Sequence, residues 1–92
     1  MADNAGEAKY SILFARSARK ELEALPPPIA VRVLQRIENL EREPRARGSK
    51  KLEGSVDLWR VRVGDYRIVY SVNDSKQIVD VIAVRHRRDA YK

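Results

Sequence analysis

The sequence predicts a small α+β protein built from a strand, a helical hairpin and then three antiparallel strands in a meander. Alternating apolar and polar residues on both sides of Gly64-Asp65 indicate a β-hairpin. Apolar residues at helical spacing between Ala30 and Leu40 indicate an amphipathic helix. The β-branched run QIVDVIAV indicates one more strand. We expect the apolar stripes of the helices to cover one face of the sheet.

Length and composition limit the class of protein. With 92 residues, the chain is expected to form one domain over residues 9–92, after a flexible N-terminus at residues 1–8. The absence of cysteine excludes disulfides, thiolate metal sites and cysteine nucleophiles, and it suits a reducing cytoplasm. No apolar run approaches the ~20 residues that span a bilayer, and the N-terminus lacks a signal-peptide pattern. We therefore expect a soluble, cytoplasmic protein.

The net charge of the chain is +6. Because apolar residues make up 43% of the sequence, we expect this charge to decorate a folded body rather than a disordered one. A strongly basic surface favours a polyanionic partner, which is a nucleic acid, an acidic protein, or both in turn.

The N-terminal half predicts one short strand and two helices. Lys9 to Phe14 alternates as a strand does, and Ser17 is a plausible N-cap for a short amphipathic helix that ends before Pro26. The second helix should run from Pro28 to the stop at Glu43-Pro44. Its predicted core-facing stripe is Ala30, Val33, Leu34, Ile37 and Leu40.

A basic segment, PRARGSKKLEGSVD, joins the second helix to the hairpin. It contains Arg45, Arg47, Lys50 and Lys51. Such a loop can be a solvated connection or part of a binding surface. Its position directly before an arginine-containing strand favours the second interpretation, but both remain open.

The turn at Gly64-Asp65 predicts the register of the hairpin. Glycine at the first of two loop positions is typical of a type II′ turn, so Val63 should lie opposite Tyr66. Counting outward pairs Arg62 with Arg67, and directly opposed residues share a face. The predicted apolar face is Trp59, Val61, Val63, Tyr66, Ile68 and Tyr70.

The opposite face of the hairpin carries Arg60, Arg62 and Arg67. Like charges that oppose each other directly on a sheet are destabilising, by up to about 1 kcal/mol. One interpretation is a solvated face whose arginines spread into water. The other is a preorganised anion site, because residues two apart on a strand stand roughly 7 Å from each other on one side. These guanidiniums can then converge on one phosphate.

The last strand and the tail complete the set of candidate residues. Apolar residues in QIVDVIAV fall at both parities, so the sequence does not determine the register of this strand. The tail is either a frayed charged end or a segment that brings Arg87 and Tyr91 near Arg67. His86 suits either a backbone-bonded position at a strand end or a catalytic role. The tail residues considered are Arg85, His86, Arg87, Arg88 and Tyr91.

The sequence holds no metal-ligand cluster, paired-carboxylate site or Ser/His/Asp arrangement, and its single histidine excludes a two-histidine ribonuclease mechanism. What remains is guanidinium, one imidazole and a phenol. Guanidinium suits phosphate because its planar fork donates bidentate hydrogen bonds and stays charged. If the anion is an RNA phosphodiester, the 2′-OH can attack the adjacent phosphorus while arginines stabilise the transition state.

A family resemblance is carried by the run KKLEG…LWRVRVGDYRIVY…IVDVIAVRHRRDAY together with the strand and helical hairpin before it. These segments resemble the RelE/ParE toxin superfamily, and most closely its RelE branch. The resemblance implies a β-α-α-β-β-β fold and a toxin of a toxin-antitoxin system. It further implies a metal-independent endoribonuclease that cuts mRNA in the ribosomal A site and a cognate antitoxin that neutralises it. A ParE-like inhibitor of DNA gyrase and a simple nucleic-acid-binding domain are the alternatives.

The resemblance also suggests roles for individual residues. Arg60 and Arg62 occupy positions that are often lysine in RelE-like toxins. As a hypothesis, Arg62 and Arg67 clamp the transition state, Arg60 supports Tyr91 as the base, and Arg87 or His86 lies near the leaving oxygen. The expected additional RNA or ribosomal RNA contacts are Lys50, Lys51, Arg85 and Arg88.

Overall fold

The computed structural model describes residues 9–54 and 57–88. Five strands form one sheet in the order β1-β5-β4-β3-β2. β1 runs parallel to β5, and the other neighbouring strands are antiparallel. In the described residues, no helix is long and apolar enough to cross a membrane. The elements are β1 Ser11–Phe14, α1 Arg16–Glu23, α2 Pro27–Asn39, β2 Lys50–Lys51, β3 Leu58–Val63, β4 Tyr66–Asn73 and β5 Ile78–His86.

The predicted fold class and element order are confirmed. The helical hairpin packs on one face of the sheet, as the buried apolar cluster formed by the two helices and the strands shows. One element was not predicted: the short strand β2 lies in the basic segment and pairs with Trp59 and Arg60 of β3. Part of that segment therefore belongs to the sheet.

The predicted hairpin register is confirmed at every pair from Trp59–Tyr70 to Val63–Tyr66. Gly64 has φ of 57°, the positive value that the first loop position of a tight hairpin turn requires. A residue with a Cβ would be strained there. The local turn therefore determines which side chains of β3 and β4 share a face.

The core lies between the helices and the face of the sheet that contains Tyr70. Tyr70 is fully buried, and its hydroxyl donates a 2.6 Å hydrogen bond to the carbonyl of Pro44, so the polar end of this large side chain is satisfied. Burial raises the pKa of the Tyr70 phenol, which therefore remains a donor. The largest buried side chains are Tyr70, Ile37, Leu40, Ile68, Val33, Val79, Val81 and Val84.

A bulge in β5 explains why its apolar residues fall at both parities. Val69 pairs with Ala83 but the next residue, Tyr70, pairs with Val81, so Ile82 is the extra residue. Val81 before the bulge and Val84 after it consequently both face the helices, although they are three residues apart.

The helices differ in detail from the prediction. Ser17 is not the N-cap: α1 follows β1 so closely that the cap position falls on Ala15, whose N–H donates to the Val81 carbonyl at 2.8 Å. The Ser17 hydroxyl instead donates to the Ile82 carbonyl at 3.1 Å. Helix α2 ends at Asn39, before the predicted stop, and Leu34 of the predicted stripe is 40% exposed.

Candidate anion-binding site on the open face of the sheet

Cations collect on the sheet face that the helices do not cover. The register places Arg62 opposite Arg67, and Arg67 opposite Arg85. On the other side of β3, Lys50 lies opposite Arg60. Because directly opposed residues share a face, the sheet brings these side chains to one side. We call this set the cationic face: Lys50, Arg60, Arg62, Arg67 and Arg85.

The centre of the cationic face is concave. A depression of about 300 Å³ is bordered by Lys50, Arg60, Arg62 and Arg67, and Gly48 and Val61 complete its lining. Arg60 and Arg67 are half-buried, whereas Lys50 and Arg62 are exposed. Half-buried guanidiniums are held in place by their surroundings and keep less water, so they bind an anion more strongly than solvated ones. Four cationic side chains therefore converge on a space suited to one phosphate group.

The loop before β2 brings Lys50 to this depression. The Arg36 guanidinium donates to the Arg47 carbonyl at 2.9 Å, and the Ser49 hydroxyl donates to the Ala46 carbonyl at 2.6 Å. Gly48, with φ of 93°, makes the bend between these two anchors. The loop is thus tied to α2 and to itself, although most of its side chains are exposed.

Arg45 of the same loop has a different environment. Its guanidinium forms a bidentate pair with Asp74, at 3.0 and 2.8 Å, and stacks 5.3 Å from the centroid of Trp59. The Tyr10 hydroxyl donates to the same carboxylate at 2.6 Å. These two donors lower the pKa of Asp74, while the bond to Asp74 raises the pKa of Tyr10. Arg45 therefore has a carboxylate partner and lies outside the cationic face.

The side chain of Arg85 is drawn toward α1. Its Nε lies 3.0 Å from Glu21 Oε2, and the other carboxylate oxygen accepts the Val84 N–H at 2.8 Å. β1 ends opposite Val81, so this part of β5 is a sheet edge that Glu21 caps. Arg85 shares the face of Arg67 in the backbone register, but its charge is balanced by Glu21.

The structure separates His86 from the arginines. His86 lies opposite Tyr66, and therefore on the helix-covered face, with the two rings edge to face at a centroid distance of 5.2 Å. Its Nδ1 accepts the Arg88 N–H at 3.2 Å. Of the two interpretations that the sequence allowed for His86, these contacts match the backbone-bonded position at a strand end.

Arg87 lies beside the hairpin turn. The Arg87 N–H donates to the Asp65 carbonyl at 2.7 Å, and its guanidinium is exposed, 3.9 Å from the Asp65 carboxylate. Arg88 is exposed as well.

Lys51 lies opposite Trp59 at the sheet edge, and with Lys50 it borders a neighbouring depression that also contains Glu53. Tyr91 lies outside the described residues.

A family model described as the ParE toxin of type II toxin-antitoxin system, parDE, matches residues 12–91. The chain belongs to the ParE toxin family. It is a toxin of a type II toxin-antitoxin system and a member of the RelE/ParE superfamily, as its resemblance predicted.

Curated relatives of this ParE-family toxin carry RelE-type names. Toxin RelG of Mycobacterium tuberculosis is 32% identical over 84 residues, which cover 90% of this chain and 97% of the relative. A putative toxin RelE1 of Methanocaldococcus jannaschii is 30% identical over 87 residues, which cover 91% and 97%. The alignments span nearly the whole of each protein, so the similarity is not limited to the hairpin.

Solved structures of similar fold include two toxin-antitoxin complexes. The toxin-antitoxin complex RelBE2 of Mycobacterium tuberculosis aligns with a TM-score of 0.78 and 33% identity, covering 87% of this chain and 93% of the other. The archaeal RelE-RelB complex of Pyrococcus horikoshii aligns with a TM-score of 0.77 and 34% identity, covering 86% and 96%.

The sequence analysis did not predict a role for two residues that lie next to the cationic face of this ParE-family toxin. Glu21 caps β5 across 63 positions of chain, and such a distance leaves no local pattern to detect. Gly48 is the second, and it borders the depression beside Lys50. The available sequence indication for Gly48 was the glycine itself, because glycine readily adopts a positive φ such as the one found there.

Proposed function

We propose that this toxin is a ribosome-dependent mRNA endoribonuclease, an mRNA interferase that stops translation. The observation that carries the proposal is the convergence of Arg60, Arg62 and Arg67 with Lys50 around one depression of about 300 Å³. Planar guanidiniums match the oxygens of a phosphodiester in geometry as well as in charge. An mRNA strand held in a ribosome presents such phosphates singly and in an extended form.

The reaction uses a nucleophile from the RNA itself. The 2′-oxygen forms a bond to the adjacent phosphorus, the bond from phosphorus to the 5′-oxygen breaks, and the products are a 2′,3′-cyclic phosphate and a 5′-hydroxyl. The 2′-OH loses one proton to a base and the leaving oxygen gains one. Negative charge develops on the phosphoryl oxygens, where Arg62 and Arg67 would stabilise it. No metal ion is needed for these steps.

Proton transfer is assigned to the C-terminal residues. Tyr91 would act as the base, and Arg60 would support it, because nearby positive charge favours the phenolate. Arg87 lies beside the hairpin turn and is the better candidate for stabilising charge at the leaving oxygen, since His86 faces the helices. A guanidinium hardly gives up its proton, so we assign Arg87 an electrostatic role.

The partners follow from the charge and from the relatives. Structures of two relatives contain a RelB antitoxin, and we infer that a cognate antitoxin neutralises this toxin in the same way. Lys50, Lys51 and Arg88 would add contacts to mRNA or ribosomal RNA that weaken with salt, and Arg85 would add less because Glu21 holds it. The site of action would be the cytoplasm, where mRNA is translated.

Primer extension on a reporter transcript, with and without translation, tests the function. We expect the toxin to produce new 5′ ends within the coding region only when ribosomes translate it. Arg67→Ala should lower the cleavage rate by about 10²–10³-fold, the usual loss for one preorganised donor to a transition state. Tyr91→Phe should also abolish cleavage and growth arrest. Arg19→Ala on the exposed surface of α1 is the matched control and should cleave normally.

Retained cleavage in both Arg67→Ala and Tyr91→Phe would refute the residue assignment. A ParE-like inhibitor of DNA gyrase is the second candidate, because the matching family model carries the ParE name. A supercoiling assay with the same preparations distinguishes the two. Inhibited gyrase together with intact mRNA would replace the ribonuclease by a non-catalytic function.

A further inference from the structure

A second positively charged groove lies beside the cationic face, between α2 and β3. It has a volume of about 360 Å³ and is bordered by Arg32 and Arg36 of α2, by Arg62 of β3 and by Gly64 of the hairpin turn. Asn39 adds a neutral amide at one end. No acidic side chain borders this groove among the described residues, so its lining is suited to an anion.

The edge of β3 opens into this groove. β2 covers β3 only at Trp59 and Arg60, so the residues from Val61 to Val63 form an open sheet edge. The Leu58 carbonyl accepts the Leu52 N–H at 2.9 Å on this side of β3. In an antiparallel strand the N–H and the carbonyl of one residue point to the same side, and residues two apart point the same way, so both the N–H and the carbonyl of Arg62 face outward. The groove therefore contains a backbone donor as well as guanidiniums.

The two arginines of α2 lie against the elements that form the cationic face. Arg32 and Arg36 are four residues apart, so they stack on one side of the helix, about 6 Å from each other along its axis. A Cβ on Gly64 would lie 3.9 Å from the Arg32 guanidinium, and one on Gly48 would lie 3.6 Å from that of Arg36. The Arg32 guanidinium therefore lies beside the hairpin turn, and that of Arg36 lies beside the loop before β2.

Arg62 joins the two concave surfaces, because it borders both the central depression and the groove. A neighbouring depression, which shares Arg36 with the groove, differs because Glu38 and Glu43 border it together with its arginines. The central depression and the groove therefore form a positively charged surface that runs from the cationic face, around the edge of β3, to Arg32 and Arg36 of α2. Carboxylates interrupt this surface at Glu38 and Glu43.

We propose that the groove is a second anion-binding subsite, which holds a backbone phosphate of single-stranded RNA next to the phosphate in the central depression. This inference rests on the proposed ribonuclease function and deepens it by giving the RNA a path over the β3 edge. Arg32 and Arg36 supply the charge, and the outward N–H of Arg62 supplies a directed donor. The groove is a binding subsite and takes no part in bond cleavage.

Salt-dependent RNA binding tests the subsite without cleavage. The probe is a short labelled single-stranded RNA with every 2′-hydroxyl methylated, which removes the nucleophile. The variant is Arg32→Gln, which leaves the bond from Arg36 to the Arg47 carbonyl in place. The control is Arg19→Gln, which removes the same charge from an exposed position of α1. Losing one phosphate contact should reduce the slope of log affinity against log salt by about 0.7.

We expect the reduced slope in the α2 variant and the wild-type slope in the α1 control. Equal slopes in both variants would overturn the subsite, because they would show a general charge effect. Failure of the wild-type protein to bind the probe at low salt would overturn it as well. Weaker binding of an acidic antitoxin by the α2 variant, with an unchanged RNA slope, would show that the groove docks a protein instead.

These outcomes are separate from those of the cleavage experiment. A wild-type protein that cleaves mRNA, with no slope difference between the variants, would leave the ribonuclease in place and remove the subsite. A slope difference in a protein that never cleaves mRNA would leave an RNA-binding groove and remove the ribonuclease.

Discussion

The two faces of the β3–β4 hairpin differ in composition although they are formed by alternating residues of the same two strands. The helix-covered face contains Val61 and Ile68, both buried, whereas the open face contains Arg62 opposite Arg67. Burying an aliphatic side chain contributes about 1.5–3 kcal/mol, while opposed like charges cost up to about 1 kcal/mol. Burial on the helix-covered face therefore contributes more stability than charge repulsion on the open face removes. For this reason the hairpin can hold cations close together.

Truncation on the helix-covered face should have the largest effect on stability. Ile68 is completely buried, so Ile68→Ala should lower the free energy of unfolding by about 2–5 kcal/mol through lost burial and the cavity that remains. Urea unfolding measures this loss. A loss at the upper end of this range approaches the whole stability of a small domain. Ile68→Val is therefore the second variant and should cost about 0.5–1.5 kcal/mol.

The mRNA cleavage rates of the folded variants test whether the two faces have separate roles. Ile68→Val should cleave mRNA at the wild-type rate, whereas Arg67→Ala, one residue away on the other face, should fold normally and cleave slowly. Val69→Ala is the control for truncation near the open face. A fall in activity for Ile68→Val that matches the fall for Arg67→Ala would contradict the separation of the two faces.

Loss of the Tyr70 hydroxyl should have an intermediate effect. Its buried hydrogen bond to the Pro44 carbonyl anchors the loop that carries Lys50, and a bond of this kind contributes about 1 kcal/mol. Tyr70→Phe should therefore lower the urea midpoint and also weaken RNA binding modestly. Tyr66→Phe, on the same face, is the matched control. Unchanged stability in Tyr70→Phe would show that the loop is held by its other contacts.

The hairpin could be predicted from the sequence because its determinants are local. Gly64 sets the turn, and the turn sets the register of twelve residues through simple alternation. The grouping of Arg60, Arg62 and Arg67 on one face follows from that register alone. No partner from elsewhere in the chain is needed to place them.

The rest of the site depends on contacts that sequence patterns do not contain. The bulge at Ile82 decides that His86 faces the helices and Arg85 does not, and a one-residue slip would have reversed this. β2 forms where the loop is anchored to Arg36 of α2 and, through the Pro44 carbonyl, to Tyr70, and it places Lys50 beside Arg60. The N-cap prediction at Ser17 was wrong because the spacing between β1 and α1 is set by pairing with β5.

Removing one of the opposed cations should raise stability slightly. Arg62→Gln relieves repulsion with Arg67 and should increase the free energy of unfolding by a few tenths to about 1 kcal/mol. The urea midpoint should rise without a change in the m-value. Arg19→Gln controls for net charge and should change the midpoint less. A lower midpoint for Arg62→Gln would show that Arg62 makes a stabilising contact on the open face.

The smallest effect concerns Asp74, which gives Arg45 the carboxylate partner described above. Because Arg45 and Tyr10 lower the pKa of Asp74, the carboxylate stabilises the folded protein above the pKa of unfolded aspartate, near 4. This contribution is lost as pH falls through the lower, folded pKa. Asp74→Asn should thus be slightly less stable than wild type near neutral pH and equal to it in acid.

Urea midpoints of wild type and Asp74→Asn across this pH range measure the difference. Both partners are exposed, so the gap should be small and should shrink further in high salt. Glu23→Gln on α1 controls for the loss of one negative charge. Equal midpoints near neutral pH would show that Asp74 does not stabilise the fold through Arg45, and Arg45 would then resemble the arginines of the cationic face, with its contact to Trp59 remaining.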